Sequence, residues 1–165
     1  VRIIPMEAEH YEEVHRLWEH IDGFGLRSID DSREGITRFL RRNPGLSVVA
    51  VAEEETPAPG GGAQSRRERV VGSVLCGEDG RRGCLYHVCV EKRYRREGIG
   101  AGMVERCMRS LREIGINKVS PIAFTCNDVG NTFWKSERWT KREDLNYYDF
   151  TLNEENITSF VREQD

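Results

Sequence analysis

The spacing of apolar residues changes period several times along the chain, and each change marks an element. Arg2 to Met6 reads as a short strand. From Glu7 to His20, Tyr11, Val14, Leu17 and Trp18 stand at i, i+3, i+6 and i+7, the period of a helix with one buried face. That helix breaks at Asp22-Gly23-Phe24-Gly25. Asp30-Asp31-Ser32 then precedes a second helical run to about Asn43, with Ser32 as a side-chain cap and Pro44-Gly45 as the stop. Leu46 to Ala52 is apolar and β-branched, a buried strand, and Val70 to Cys76 is its hairpin partner. The prolines, glycines and charges between them offer no core-forming face, which predicts a solvent-exposed hairpin insertion over 55–69.

Beyond a second turn at Glu78 to Gly83, the run Cys84 to Val90 predicts a strand. A third helix is expected from Arg96 or Gly98 to Gly115, with Ile99, Met103, Cys107, Leu111 and Ile114 on one face. A strand over Lys118 to Thr125, a short helix near Asp128 to Ser136 and a final strand around Leu145 to Leu152 complete a β-α-α-β-β-β-α-β-α-β order. Such an order implies an α/β (α+β) fold with a mixed, largely antiparallel sheet whose two middle strands are followed by crossover helices. The tail 153–165, carrying Ile157, Phe160 and Val161, reads as a short helix packed either on the sheet or on a partner subunit, the second option implying a homodimer.

Composition narrows the class. A chain of 165 residues suits one domain. A net charge of −3 with 32% charged residues makes the arginine clusters (Arg66, Arg67, Arg69; Arg93, Arg95, Arg96) local patches and argues against a general nucleic-acid binder. No apolar run approaches the roughly 20 residues that span a bilayer, and no signal-like leader opens the chain, so a soluble, cytoplasmic protein without membrane attachment is expected. The five cysteines (Cys76, Cys84, Cys89, Cys107, Cys126) lack C-x-x-C spacing and read as reduced, mostly buried small hydrophobes. His10, His15 and His20, five apart, spread around a helix and make no metal face, so no metal is expected.

Candidate chemistry concentrates in Leu85 to Val104, where a strand breaks into basic residues and glycines and resumes as a helix. Gly98, Gly100 and Gly102 let an anion approach the backbone, and a helix starting there aims unpaired N–H groups and its positive dipole end at the ligand. Arg93, Arg95 and Arg96 add charge, and the combination suits a pyrophosphate. A nucleotide P-loop would need Lys-Ser or Lys-Thr after its last glycine, and a dinucleotide fingerprint a third glycine where Met103 stands.

What remains, Arg95-x-x-Gly98-x-Gly100 after a strand ending at Val90, resembles the [QR]-x-x-G-x-[GA] pattern of the GNAT superfamily of acyl-CoA-dependent N-acetyltransferases. Asn127 to Trp139, NDVGNTFWKSERW, is similar to that family's N-x-x-A-x-x-F-Y-x-x-x-G-F, with Asn127, Gly130, Phe133, Trp134 and Trp139 in register. The resemblance covers Arg2 to about Leu152 and looks most like the small bacterial members. It implies an N-acetyltransferase domain over 1–152, with about seven strands in the central sheet, about four helices, and a splayed parallel strand pair that binds acetyl-CoA. Carried over by position, it implies that Val88, Cys89 and Val90 present backbone to the pantetheine arm. Arg95, Arg96, Glu97, Gly98, Ile99, Gly100 and Ala101 would wrap the pyrophosphate, and Asn127, Asn131 and Trp134 would contact the cofactor arm, with Phe133 as packing.

The implied reaction is direct attack of a primary amine, on a small molecule or a peptide N-terminus, on the thioester. Trp134 stands where the family usually carries a tyrosine that protonates the leaving thiolate, and an indole N–H has no accessible acidity. Water or a hydroxyl of Tyr86, Tyr147 or Tyr148 is the substitute. Where some relatives carry a glutamate base this chain has Ile122, so Asp30, Asp31, Glu34, Glu78, Asp79 and His87 become candidates for the base. For His87 a hydrogen-bonded core histidine is the competing reading. An acceptor mouth lined by Gly23 to Asp31, the Glu78-to-Gly83 turn and the last strands would be acidic and aromatic-edged, suiting a cationic amine. Two other functions stay open: an acyl-CoA sensor without turnover, and a phosphate-binding α/β module unrelated to this family.

Overall fold

The computed structural model describes residues 1–56 and 65–161. Strand β1 (Arg2–Pro5) leads through a 3-10 turn (Ala8–His10) into helix α1 (Tyr11–Trp18). There follow β2 (Gly25–Arg27), α2 (Arg33–Arg42), β3 (Val48–Thr56), β4 (Ser65–Glu78) and β5 (Gly83–Val90). A second 3-10 turn (Lys92–Tyr94), α3 (Ile99–Glu113), β6 (Val119–Pro121), α4 (Asp128–Ser136) and β7 (Thr158–Phe160) complete the order. As the hydrophobic pattern implies, the fold is mixed α/β, with a largely antiparallel sheet and, among the described residues, one parallel pair and four helices.

The strands do not form one sheet of seven. Five make the central sheet in the order β1-β3-β4-β5-β6, antiparallel except for β5 and β6, and a separate ribbon joins β2 to β7. The expected final strand over Leu145–Leu152 is absent: Leu145, Tyr147, Tyr148, Phe150 and Leu152 are all exposed. Its place in the chain order passes to Thr158–Phe160, so the tail carries a strand where a helix was expected. The residues ITSFV, rich in β-branched and aromatic types, account for that preference. The insertion over 55–69 is narrower than expected, because β3 and β4 remain paired out to Thr56 and Ser65; its centre, 57–64, lies outside the described residues.

Two cores flank the sheet. Val48, Ala50 and Ala52 of β3 point to the α3 face, where Met103, Val104, Cys107 and Leu111 are buried, and Val49 and Val51 point to the α1–α2 face with Val14, Trp18 and Ile36. This is the period-two alternation of a strand buried on both sides. Val71 and Val74 share a face although three apart, because the β4–β5 register shifts between Ser73 and Leu75. Ile114, assigned to the apolar face of α3, is 55% exposed because the helix ends at Glu113 and the chain turns away. Ser32 caps α2, its Oγ accepting from the Gly35 N–H at 3.1 Å. Among the described residues no helix is long and apolar enough to cross a membrane, and no cluster of three His, Cys, Asp or Glu side chains is arranged for a metal.

Candidate active site

The parallel pair builds the opening. β5 and β6 stay in register only from Gly83–Val119 to Leu85–Pro121, whereas β5 runs on to Val90. Past that point, among the described residues, the edge of β5 lacks a neighbouring strand on the β6 side, and its backbone groups face a cleft. Val88, Cys89 and Val90 line that cleft from one wall and Pro121, Ile122, Ala123 and Phe124 from the other. An extended, amide-bearing chain fits such a gap as an added strand.

At one end of the gap stands the N-terminus of α3. Gly98 occupies the N-cap position with φ +76°, and a Cβ there would meet nothing within 4 Å, so the glycine serves the left-handed turn and leaves open space above it. The first-turn N–H groups of the 15-residue helix have no intrahelical acceptors, and Gly98, Ile99, Gly100 and Ala101 line the cleft. Arg95 and Arg96 line it too, whereas Glu97 does not. Arg95 Nε donates to the Val90 carbonyl at 2.9 Å, closing the turn on the strand that feeds it. A network unforeseen from the sequence braces the same turn: Arg69 on β4 binds Glu54 of β3 (3.1 Å) and Glu91, and Glu91 also holds Arg93 Nε at 2.6 Å. The alternation of acidic and basic residues on the paired strands was its only sequence signal.

On the opposite wall, Asn127 caps α4, its Oδ1 accepting from Gly130 N–H at 2.8 Å, and lines the cleft. Asn131 does not line it; its Nδ2 donates to the Phe124 and Asn127 carbonyls, both at 2.9 Å, which pins α4 to the end of the preceding segment. Phe133 and Trp134 line the cleft, and Trp134 packs edge-on between Phe133 and Trp139 with ring centroids 5.0 and 4.8 Å away. Trp134 therefore sits as an apolar wall against the α3-side core.

The far end of the cleft lies under the segment before α2. Asp31, 5% exposed, receives the Arg27 N–H on Oδ2 at 2.7 Å and contacts His87 Nε2 through Oδ1 at 2.7 Å. Burial opposes ionisation of Asp31, but the His87 hydrogen bond and charge and the Arg27 amide outweigh it and hold the carboxyl below its ordinary range. His87 has φ +48°, and its ring lies 4.4 Å from that of Trp18 and stacks on Phe24 at 5.3 Å. Two residues nominated separately for the base are thus one hydrogen-bonded pair. Glu34, Glu78 and Asp79 are not part of the cleft; Glu78 pairs with Arg42, and Asp79 accepts the Arg81 and Arg82 amides. This end of the cleft is lined by Arg16, Arg27, Arg38 and Arg42 beside Glu13, Glu19, Asp22, Asp30 and Asp149, so its charge is mixed rather than acidic. Tyr86 and Tyr147 line it and Tyr148 does not. Burial first, then Cys84 and Tyr147, push the Tyr86 hydroxyl up to about 12, leaving it protonated at neutral pH.

Comparison with known proteins agrees with this geometry. An acetyltransferase of Sodalis glossinidius is 32% identical over 121 residues, 73% of this chain and 74% of the relative. The fold is similar to that of the PaiA N-acetyltransferase of Thermoplasma acidophilum in complex with coenzyme A (TM-score 0.62, 12% identity, covering 82% of this chain and 87% of that one). It is also similar to that of an aminoglycoside acetyltransferase from an uncultured soil metagenomic sample in complex with sisomicin (TM-score 0.61, 20% identity, covering 92% and 96%). Residues 11–136 match the acetyltransferase (GNAT) family, and with the split parallel pair and the glycine turn beside it, the chain belongs to that family of acyltransferases.

Proposed function

We propose that this protein is an N-acetyltransferase that moves the acetyl group of acetyl-CoA to a primary amine by direct attack within a ternary complex. The observation that carries the reading is the divergence of β5 from β6 beyond the Leu85–Pro121 pair, beside the N-terminus of α3. In this reading the backbone of Val88 to Val90 pairs with the pantetheine arm, and the N–H groups from Gly98 to Ala101 hold the pyrophosphate, assisted by Arg95 and Arg96. Asn127 and Trp134 flank the arm. A coenzyme A bound by an analogous family member, PaiA, supports the choice of ligand.

Chemistry requires a neutral amine, a polarised thioester carbonyl and a proton for the departing thiolate. The Trp134 indole supplies contact and not acidity. Tyr86, protonated and lining the cleft, is the hydroxyl that donates to the thiolate. The mixed charge of the mouth suits an amine that also carries an anionic group, rather than the purely cationic acceptor that an acidic mouth would select. A thiol-release assay with acetyl-CoA and a panel of amines tests the activity, and calorimetry tests the cosubstrate. Tight acetyl-CoA binding without turnover on any amine would sink the transfer reaction, and no binding at all would sink the ligand.

A further inference from the structure

His87 and Asp31 come from segments 56 residues apart and meet beside the stretch of β5 that has left β6, with Nε2 and Oδ1 2.7 Å apart. An ionised carboxylate only accepts hydrogen bonds, so in the neutral imidazole Nε2 carries the proton and Nδ1 the lone pair. The ring cannot turn freely, because Trp18 and Phe24 pack against it at 4.4 and 5.3 Å. Asp31 is held in turn, its other oxygen taking the Arg27 amide. Among the described residues Nδ1 has no protein hydrogen-bond partner and is not a buried unsatisfied atom, and His87 lines the cleft. The strand is bent to achieve this: φ of +48° at His87 coincides with the register shift opposite Ser73 and Leu75, and the Ser73 hydroxyl donates to the His87 carbonyl at 3.1 Å.

We propose that His87 is the general base of the acetyl transfer, its Nδ1 taking a proton from the acceptor's ammonium directly or through one water, while Asp31 acts as the positioning residue that fixes the tautomer. The inference rests on the reading of the cleft given under Proposed function. Nδ1 accepts one proton from R–NH3+, leaving R–NH2, whose lone pair forms the N–C bond to the thioester carbon. Collapse of the tetrahedral adduct breaks the C–S bond, the sulfur leaves with the electron pair and takes the Tyr86 proton, and the second proton lost from nitrogen restores the Tyr86 hydroxyl. The products are the amide and coenzyme A thiol, and the imidazolium returns its proton to water. Asp31 bonds the imidazole, Trp18 of α1 and Phe24 pack on it, and Ser73 of β4 holds the His87 carbonyl; one contact further out, the Arg27 amide and the Tyr11 hydroxyl bind Asp31, His15 packs on Trp18, and Cys89 of β5 meets Ser73. Burial raises Tyr11 and pushes the Cys89 thiol up to about 11, so both stay neutral at neutral pH.

His87→Asn tests the proposal, because asparagine tolerates a positive φ. With an amine that the wild-type protein acetylates, kcat falls by about 100-fold or more, Kd for acetyl-CoA by calorimetry is unchanged, and the acid limb of the kcat/KM profile against pH disappears. Asp31→Asn, which keeps an oxygen for the Arg27 amide, gives a smaller loss and moves that limb. Imidazole nitrogen NMR, assigned by the loss of signal in His87→Asn, reports protonation at Nε2 and a bare Nδ1 in the neutral form. A variant with the wild-type rate and pH profile, or a proton found on Nδ1, overturns the role of His87 and leaves the acetyltransferase reading standing. Wild-type protein that binds acetyl-CoA but acetylates no amine overturns both.

Discussion

At the scale of single residues, Ser73 shows how a small polar side chain can be decisive. It is fully buried, accepts the Trp18 Nε1–H at 2.8 Å and donates to the His87 carbonyl, joining α1, β4 and the bend in β5. Ser73→Ala strands two buried polar groups and is expected to cost about 1–3 kcal/mol, read as a lower urea midpoint with an unchanged slope. Asp31 makes a second prediction. Its carboxyl is depressed in the folded protein, so its contribution to stability is present above the unfolded value of about 3.9 and is lost as pH falls through the folded value below it. Urea midpoints measured from pH 5 downward should therefore fall less steeply in Asp31→Asn than in wild type. Neither contact is readable from composition: Ser73 and Asp31 look like ordinary strand and cap residues until Trp18 and His87 are placed beside them.

At the scale of elements, α3 and its turn were the most legible part of the chain. The apolar spacing gave Ile99, Met103, Cys107, Leu111 and Ile114 as one face; the first four are buried, and Ile114, just past the helix end, is exposed. Its first turn is also where a substitution should separate binding from folding. A Cβ at Gly100 would lie 3.3 Å from the Phe133 ring, across the cleft, so Gly100→Val should narrow the gap and abolish acetyl-CoA binding in calorimetry while the far-UV spectrum is retained. Gly98 is less clean, since any side chain there also bears the strain of a left-handed residue, roughly 1–2 kcal/mol. The elements misread were the last strand and the tail, where a strand stands in place of the expected helix. Leu145 to Leu152 has the composition of a strand, but no sheet edge pairs with it, and β-propensity without a partner does not make a strand.

At the scale of the molecule, the chain end is tied over the segment that carries Asp31. β7 pairs with β2, Phe160 packs edge-on against Phe124 at 5.3 Å, and Asn156 Oδ1 accepts the Ile29 and Asp30 amides at 3.0 and 3.2 Å while its Nδ2 donates to Asp30 at 2.8 Å. Ser28 adds a bond to the Glu155 carbonyl at 2.8 Å. One asparagine thus closes a contact across 127 residues of sequence. Asn156→Ala should raise hydrogen exchange at the Ile29 and Asp30 amides by about tenfold, the worth of roughly 1.4 kcal/mol, with little change at the α3 amides; equal exchange in both variants would show that the tail does not hold this segment.

Sequence alone determined helices α1 to α4, the long buried strands, the glycine turn and the family, because each depends on neighbours within a few residues: periodic apolar positions, caps, and a strand-turn-helix anion site. The side-chain pairings depend on which distant segments the sheet brings together, and only the tertiary structure decided them. The β5–β6 split, the bend that turns His87 toward Asp31, the spending of Glu78 and Asp79 outside the cleft, and the tail bound across β2 all arise from register and long-range contact. A one-residue shift in register moves a side chain to the other face, and no local pattern encodes it.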